Sequence, residues 1–350
     1  MKVDEQNLIN EIENIKKSLG KRLVILGHYY QRKEIVALSD FKGDSFALAR
    51  QAAHISDAQY IIFCGVHFMA ESAAVLAQPH QVVQLPALDA GCPMADMANY
   101  DDVLSAWHTI TGFLPGIRVT PITYMNSSAQ IKSFCGQHDG AVCTSSNADK
   151  LFRWAFDRGE KIFFLPDEHL GRNTANMLGI LPDECVLWDP GNPDKCTPED
   201  LIRAKVILWQ GYCHVHTFFT TDHIKHIRTK FPEAVIIAHP ECREEVISMV
   251  DYSGSTKFID DYVRQAPSGS TIAIATELNM VDRLATQYPD KTVIEVARSL
   301  CPNMFKINLS NLRITLDNPG KRNIVRVPRD ISKYAEKSLR TMIEVVTSYQ

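Results

Sequence analysis

The chain has none of the common short signatures of bound metal or phosphate. No C-x-x-C pair, no H-E-x-x-H and no G-x-x-x-x-G-K-[ST] loop occurs in its 350 residues. These absences exclude a thioredoxin-type redox pair, a zinc knuckle, a zincin-type protease and a P-loop nucleotide site. No apolar run reaches membrane-spanning length, and the polar start MKVDEQNLINEIENIKK lacks the apolar centre of a signal peptide. The expectation is a cytoplasmic enzyme that does not enter a membrane. With 37 basic and 41 acidic residues spread along the chain, there is no basic tract for nucleic acid and no acidic tail. The nine cysteines are odd in number and widely spaced, which argues against a secreted disulfide framework. In a reducing compartment a cysteine taken alone reads as a small core hydrophobe.

What the sequence does have is alternation. Short apolar, β-branched runs (RLVILGHYY, AQYIIFCGVHF, HQVVQLP, GIRVTPITYMN, GAVCTSSNA, KIFFLPDEHLG, ECVLWD, KVILWQGYCHVH, EAVIIAHPE, KFI, TIAIATE, KTVIEV) are interleaved with amphipathic stretches. FALARQAAH, MAESAAVLAQ, ADKLFRWAFDRG, TDHIKHIRTKF and PECREEVISMVD read as helices. Continuous apolar strands alternating with helices predict an α/β protein whose parallel sheets are covered on both faces. About a dozen strands exceed one small sheet, and they divide into units near 20–105, 106–200 and 201–305, after an N-terminal helix in 1–19. The segment Asp183–Asp200 reads as a linker or surface insertion. Residues 306–350 hold a short strand (NIVRV) and a helix expected to pack back onto the first unit.

Ligands of parallel α/β sheets bind beyond the carboxyl ends of the strands. Here those ends are polar: Gly27-His28-Tyr29-Tyr30, Thr123-Tyr124-Met125-Asn126, Cys143-Thr144-Ser145, Asp167-Glu168-His169, Cys213-His214-Val215-His216, His239-Pro240-Glu241 and Thr276-Glu277. Helix caps account for some of them, and Pro240-Glu241 could open a helix. Four histidines after apolar strands (His28, His214, His216, His239) exceed what capping requires, and they predict a cleft where the three units meet.

Three cysteines stand out by their neighbours. Cys92 lies in AGCPM, Cys213 in GYC after a strand, and Cys301 in LCPNM. Proline after Cys92 and Cys301 ends a strand and leaves the thiol on a turn, and a Cys-Pro step recurs at iron–sulfur ligands. Three converging thiolates would hold a cubane cluster and leave one iron open as a Lewis acid. Spacing alone does not select them. A zinc hydrolase with a Cys/His site and a non-catalytic small-molecule binder stay open alternatives.

The strings HYYQ, S-D-x-x-G-D-S (Ser39 to Ser45), GV-x-FM-x-E (Gly65 to Glu71), AGCPM, Y-x-N-S, CTS-x-NA, PD-x-HLG (Pro166 to Gly171), W-x-G-x-C-x-VH, HPE, GST, ATE and CP-x-M run in order over about residues 20–315. In this the chain resembles the quinolinate synthase family. The resemblance implies three similar three-layer αβα sandwich domains with parallel sheets around a pseudo-three-fold axis, the active site at their junction. It implies one [4Fe–4S] cluster held by Cys92, Cys213 and Cys301, with one open iron. The implied reaction condenses iminosuccinate with dihydroxyacetone phosphate to quinolinate, phosphate and water, for de novo NAD biosynthesis. L-aspartate oxidase or aspartate dehydrogenase would supply the imine. Substrate-contacting positions fall on His28, Tyr30, Ser45, Tyr124, Asn126, Ser145, His239, Glu241 and Thr256.

Chemistry supports such roles. Ser45, Tyr124, Asn126, Ser145 and Thr256 offer donors for two carboxylates, and Gly254-Ser255-Thr256 could form an anion nest. His28, Tyr30, Tyr124, His239 and Glu241 are the expected catalytic set, with Glu241 and Tyr30 as acid–base pair. Cys301 has no cysteine near it, so no regulatory disulfide is expected, and His214 reads as local variation. Cys64, Cys135, Cys143, Cys185, Cys196 and Cys242 read as structural.

Overall fold

The computed structural model describes residues 5–348 of the chain. It is α/β throughout, with three separate, wholly parallel sheets flanked by helices as three-layer αβα sandwiches. The first sheet has β1 (Leu23–His28), β2 (Phe41–Gly43), β3 (Tyr60–Cys64) and β4 (Val82–Gln84) in the order β2-β1-β3-β4. The second has β5 (Val119–Tyr124), β6 (Ala141–Cys143), β7 (Lys161–Leu165), β8 (Cys185–Trp188) and β9 (Val206–Trp209), ordered β6-β5-β7-β9-β8. The third has β10 (Val235–Ala238), β11 (Tyr252–Ser253), β12 (Thr271–Ala275) and β13 (Thr292–Glu295), ordered β11-β10-β12-β13. The continuous apolar strands follow from burial on both faces. Every residue of β5 and β7 is buried, with no solvent side to alternate toward.

The first and third sheets share one topology, and the second is that topology with one strand added at its edge. The added strand β8 lies within Asp183–Asp200, so that segment is an insertion that extends the sheet, not a linker. Strand β9 lies beyond the 106–200 division, yet it pairs with β7 and β8. The second sheet therefore runs to Trp209, and Cys213 follows its last-formed strand.

The shared topology has shared fastenings. Asp40 Oδ2 accepts the Ile25 amide at 2.8 Å in the first unit, and Asp251 Oδ2 accepts the Ile236 amide at 2.7 Å in the third. Each aspartate also meets a cation at 2.9 Å, Lys16 and Arg228 respectively. In all three units the chain leaves the first strand to one side and the third strand lies on the other. The crevice between those two strand ends is the topological switch point at which such sheets bind ligands.

Several expected elements differ. Residues 257–259 (KFI) are helical, because Ser255 caps a helix Thr256–Gln265 whose Ile259 and Val263 are buried. In NIVRV only Ile324 forms a bridge, antiparallel to Gln84. In PECREEVISMVD only Glu244–Ile247 is helical, so Pro240 and Glu241 sit in a non-helical turn. The last helix, Arg329–Ser348, packs chiefly on the helix Ala129–Gln137 and β6 of the second unit. Gly136 permits this close approach, since a Cβ there would stand 2.0 Å from the Tyr334 carbonyl oxygen. The rest of 306–350 does return to the first unit: helix Leu309–Leu316 lies against the N-terminal helix Glu5–Leu19, Ile324 bridges Gln84, and the last helix also touches the helix His67–Leu76.

Candidate active site

The switch points of the three sheets open into one cavity. From the first unit His28, Tyr30, Asp44, Ser45 and Cys92 line it; from the second come Tyr124, Asn126, Thr144, Ser145 and Cys213. From the third come His239, Glu241, Thr256 and Cys301, with Val215 and His216 from the connection between the second and third sheets. Each unit contributes by the same rule: its first strand supplies an imidazole or phenol, its second a hydroxyl, and the chain after its last strand a thiol. The order is His28, Ser45 and Cys92; then Tyr124, Ser145 and Cys213; then His239, Thr256 and Cys301. The structure thus brings together every expected site residue except Ser255. The Ser255 hydroxyl accepts the Phe258 amide at 3.3 Å as a helix cap, and the Gly254 amide donates to the Ala238 carbonyl at 3.1 Å. The nest is reduced accordingly.

Glu241 is the hub. Its Oε1 accepts the Tyr124 hydroxyl at 2.5 Å, and its Oε2 lies 2.9 Å from His216 Nδ1. His216 Nε2 in turn stands 3.2 Å from the Tyr30 hydroxyl and 3.1 Å from Thr276 Oγ1, which are themselves 2.7 Å apart. The Glu241 carboxylate can only accept, so the His216 Nδ1–H donates to it, and Nε2 is left to face the Tyr30 and Thr276 hydroxyls. Tyr30 and Glu241 are thereby joined through one imidazole. His239 stacks on His216 with centroids 4.4 Å apart, and its Nε2 is 3.2 Å from Ser145 Oγ.

Burial dominates the protonation states. It lowers the His28 and His239 imidazoles to about 3, so both are neutral bases near pH 7. It also raises the phenols of Tyr30 and Tyr124 well above their ordinary value, helped by the Glu241 charge. Burial pushes the Glu241 carboxyl up, but His216 and the bonds from His216 and Tyr124 outweigh it, with His239 adding its charge once acid protonates it, and the carboxyl is held down at about 2. Asp167, fully buried behind it, is pushed up by burial and by Glu241, and its Oδ2 has no partner. Asn126 Oδ1 is likewise buried without a partner. Among the described residues no lysine or arginine side chain lines the cavity.

All nine cysteines are free thiols. In the absence of a cation, burial pushes Cys92 up to about 12, Cys213 well above its ordinary value, and Cys301 upward. Backbone amides oppose this at each sulfur: Ala95 and Met94 at Cys92, Val215 at Cys213, Met304 and Asn303 at Cys301. Cys92 and Cys213 are the cap residues of short helices. Three thiols from three units, each already receiving amide hydrogen bonds, fit a thiolate-bound metal cluster. Ligand atoms of Cys213, His216 and Glu241 also lie within 4.8 Å of one another. Both ring nitrogens of His216 are engaged by protein partners, however, so a zinc ion there would have to break the Glu241 or Tyr30 link.

Sequence reasoning named His216, Thr276 and Asp167 only as polar strand ends and gave none of them a substrate, catalytic or metal role. The first two lie in the strings VH and ATE, but their role depends on bonds to Tyr30 that only the fold creates.

Fold and site define a class: a three-domain α/β enzyme with a hydrogen-bonded polar network and a trio of thiols gathered where three parallel sheets meet. Residues 10–344 match the family model described as quinolinate synthetase A protein. A quinolinate synthase of Geobacillus sp. (strain WCH70) is 48% identical over 95% of this chain and 92% of the relative. Those of Corynebacterium glutamicum and Bacillus cereus (strain G9842) are each 44% identical over 99% of this chain, covering 89% and 95% of the relatives. The chain belongs to the quinolinate synthase family, enzymes of NAD biosynthesis. Among the described residues no helix is long and apolar enough to cross a membrane.

Proposed function

We propose that the chain condenses iminosuccinate with dihydroxyacetone phosphate, releasing phosphate and water, to form quinolinate. The reading is carried by one observation: three thiols, one from each unit, line the same cavity as the Tyr30–His216–Glu241 chain. Cys92, Cys213 and Cys301 would hold one [4Fe–4S] cluster, which supplies a Lewis-acidic iron for a hydroxyl or carboxylate oxygen.

The rest falls to the protein's own groups. With no lysine or arginine among the described residues of the wall, two carboxylates would be gripped by Ser45, Ser145, Tyr124 and Thr256. They are helped by the amino ends of helices Ser45–His54 and Thr256–Gln265, which open at the cavity. The unpartnered Asn126 Oδ1 is free to accept the imine N–H. Glu241 removes a proton beside a carbonyl, and Tyr30, which keeps its proton across the working pH range, returns one through His216. His28 and His239, neutral and buried, are in place to take up protons during tautomerisation. The imine is supplied by an aspartate-oxidising enzyme, L-aspartate oxidase or aspartate dehydrogenase.

Strictly anaerobic protein should be brown, carry acid-labile sulfide, and make quinolinate from the two substrates. Cys92→Ala, Cys213→Ala and Cys301→Ala should each lose cluster iron and turnover together. Turnover surviving all three changes would sink the cluster reading, and a colourless zinc protein would favour a hydrolase.

A further inference from the structure

Glu241 and His239 sit in a turn, between β10 and the short helix Glu244–Ile247, that belongs to no regular element. Its internal bonds are few: the Cys242 amide donates to the His239 carbonyl at 2.9 Å, and the Glu241 amide reaches His239 Nδ1 at 3.4 Å. The firmer hold comes from the neighbouring unit. Asn173 Nδ2 stands 2.8 Å from the Pro240 carbonyl oxygen and 2.7 Å from that of Cys242, the two carbonyls flanking Glu241. Both amide hydrogens are thus used on one catalytic turn, and the Glu241 side chain between them is directed at Tyr124 and His216.

The relation recurs around the molecule. In each unit the helix after the third strand reaches the turn after the first strand of the next unit. Glu71, on helix His67–Leu76, accepts the Ala129 amide at 3.0 Å, at the turn that carries Tyr124 and Asn126. Asn173, on helix Glu168–Met177, holds the turn of Glu241. Asn279, on helix Leu278–Gln287, donates to the Tyr30 carbonyl at 3.0 Å and closes the ring. We propose that Asn173 is a positioning residue of the active site, the strongest member of a ring of three contacts through which each unit sets the catalytic turn of the next.

Asn176 provides an internal control. It lies on the same helix and also crosses to the third unit, but it meets only the exposed Glu244 carboxylate, at 3.4 Å. A merely adhesive contact would make the two asparagines equivalent.

The proposal rests on the quinolinate-forming reading for its kinetic test but not for its structural one. Asn173→Asp keeps the shape and removes both donors. Its kcat should fall on the order of 10²-fold while KM moves less than about threefold, because a displaced catalytic group costs rate more than binding. Cluster content and the fraction of folded protein at the assay temperature should stay at the wild-type values even if the unfolding midpoint drops, and Asn176→Asp should match wild type in every measure. Independently of turnover, hydrogen exchange at the Glu241 and Cys242 amides should speed up in Asn173→Asp and not in Asn176→Asp. Unchanged kcat and exchange in Asn173→Asp would overturn the proposal, as would a kcat loss matched by equal loss of folded protein. If the wild type makes no quinolinate the functional reading fails, and the exchange rates alone decide for or against the clamp. Asn173→Ser, which keeps one hydroxyl donor, takes the place of the aspartate variant if that variant does not fold.

Discussion

The first and third units use the same strand order and the same aspartate fastening under the first strand, yet they deliver different chemistry to the cavity. At and just past the end of β1 the chain offers His28 and Tyr30; just past β10 it offers His239 and Glu241. They also differ in how they are embedded. The first unit shares a continuous apolar core with one face of the second, whereas the two faces of the third sheet carry separate clusters. The comparison teaches that the scaffold is set by buried apolar strands and a few polar staples, while function resides in two or three residues past each strand end. Those residues face the cavity and are released from the packing rules that fix the strands.

The sharpest way to break the comparison is to remove the carboxylate that only the third unit supplies. Glu241→Gln keeps the shape but not the charge, and kcat should fall by about 10²- to 10⁴-fold. Tyr30→Phe, its counterpart in the first unit, should cost less, on the order of tenfold to 10²-fold, since His216 and Thr276 remain bonded to each other. Equal losses would mean that the two strand ends are not divided into a principal base and a secondary donor.

Acid should then treat the two units alike. His28 and His239 are held near 3 when folded, against about 6.5 unfolded, so the unfolded chain binds more protons between those values. Stability therefore rises with pH across that window and is lost as pH drops from about 6.5 toward 3. Urea unfolding at a series of pH values should show this slope, and His28→Gln or His239→Gln should each flatten it by about one proton. A slope untouched by either change would show that the imidazoles are not buried neutral.

The smallest effect tests the staples. Asp40→Ala and Asp251→Ala should each destabilise by about 1–2 kcal/mol with little change in kcat, because each leaves one strand amide without its acceptor. Unequal values would show that the shared topology hides unequal energetics.

Much of this was legible in the sequence, for physical reasons. Parallel strands buried on both faces announce themselves as unbroken apolar runs, and the runs LVIL, YIIFC, IFFL, CVLW, VILW, VIIA and IAIA each coincide with a strand of one of the three sheets. The strands β2 and β11 are missing from that reading because they are edge strands of three and two residues, largely exposed, with no run to see. Lys257-Phe258-Ile259 looked like strand because its helical partners, Tyr262 and Val263, lie outside a three-residue window. The cavity residues were legible as polar strand ends, but their choice among many such ends came from family resemblance. His216 was legible only as one of four histidines at strand ends, with no role attached, and Asn173 was not legible as a site residue at all. The importance of each depends on which unit stands beside it, and that is a property of docking rather than of local sequence.

One feature of the cavity bears on how the protein is made. The three thiols stand at residues 92, 213 and 301, each after the last strand of its own sheet. A nascent chain therefore exposes them one at a time, with the third emerging only when most of the polypeptide has been synthesised. Any occupant that requires all three must be loaded after translation is nearly finished and the units have docked. Delivery of that occupant is thus a late step in maturation, and a chain that ends before residue 301 lacks the third thiol and could not acquire it.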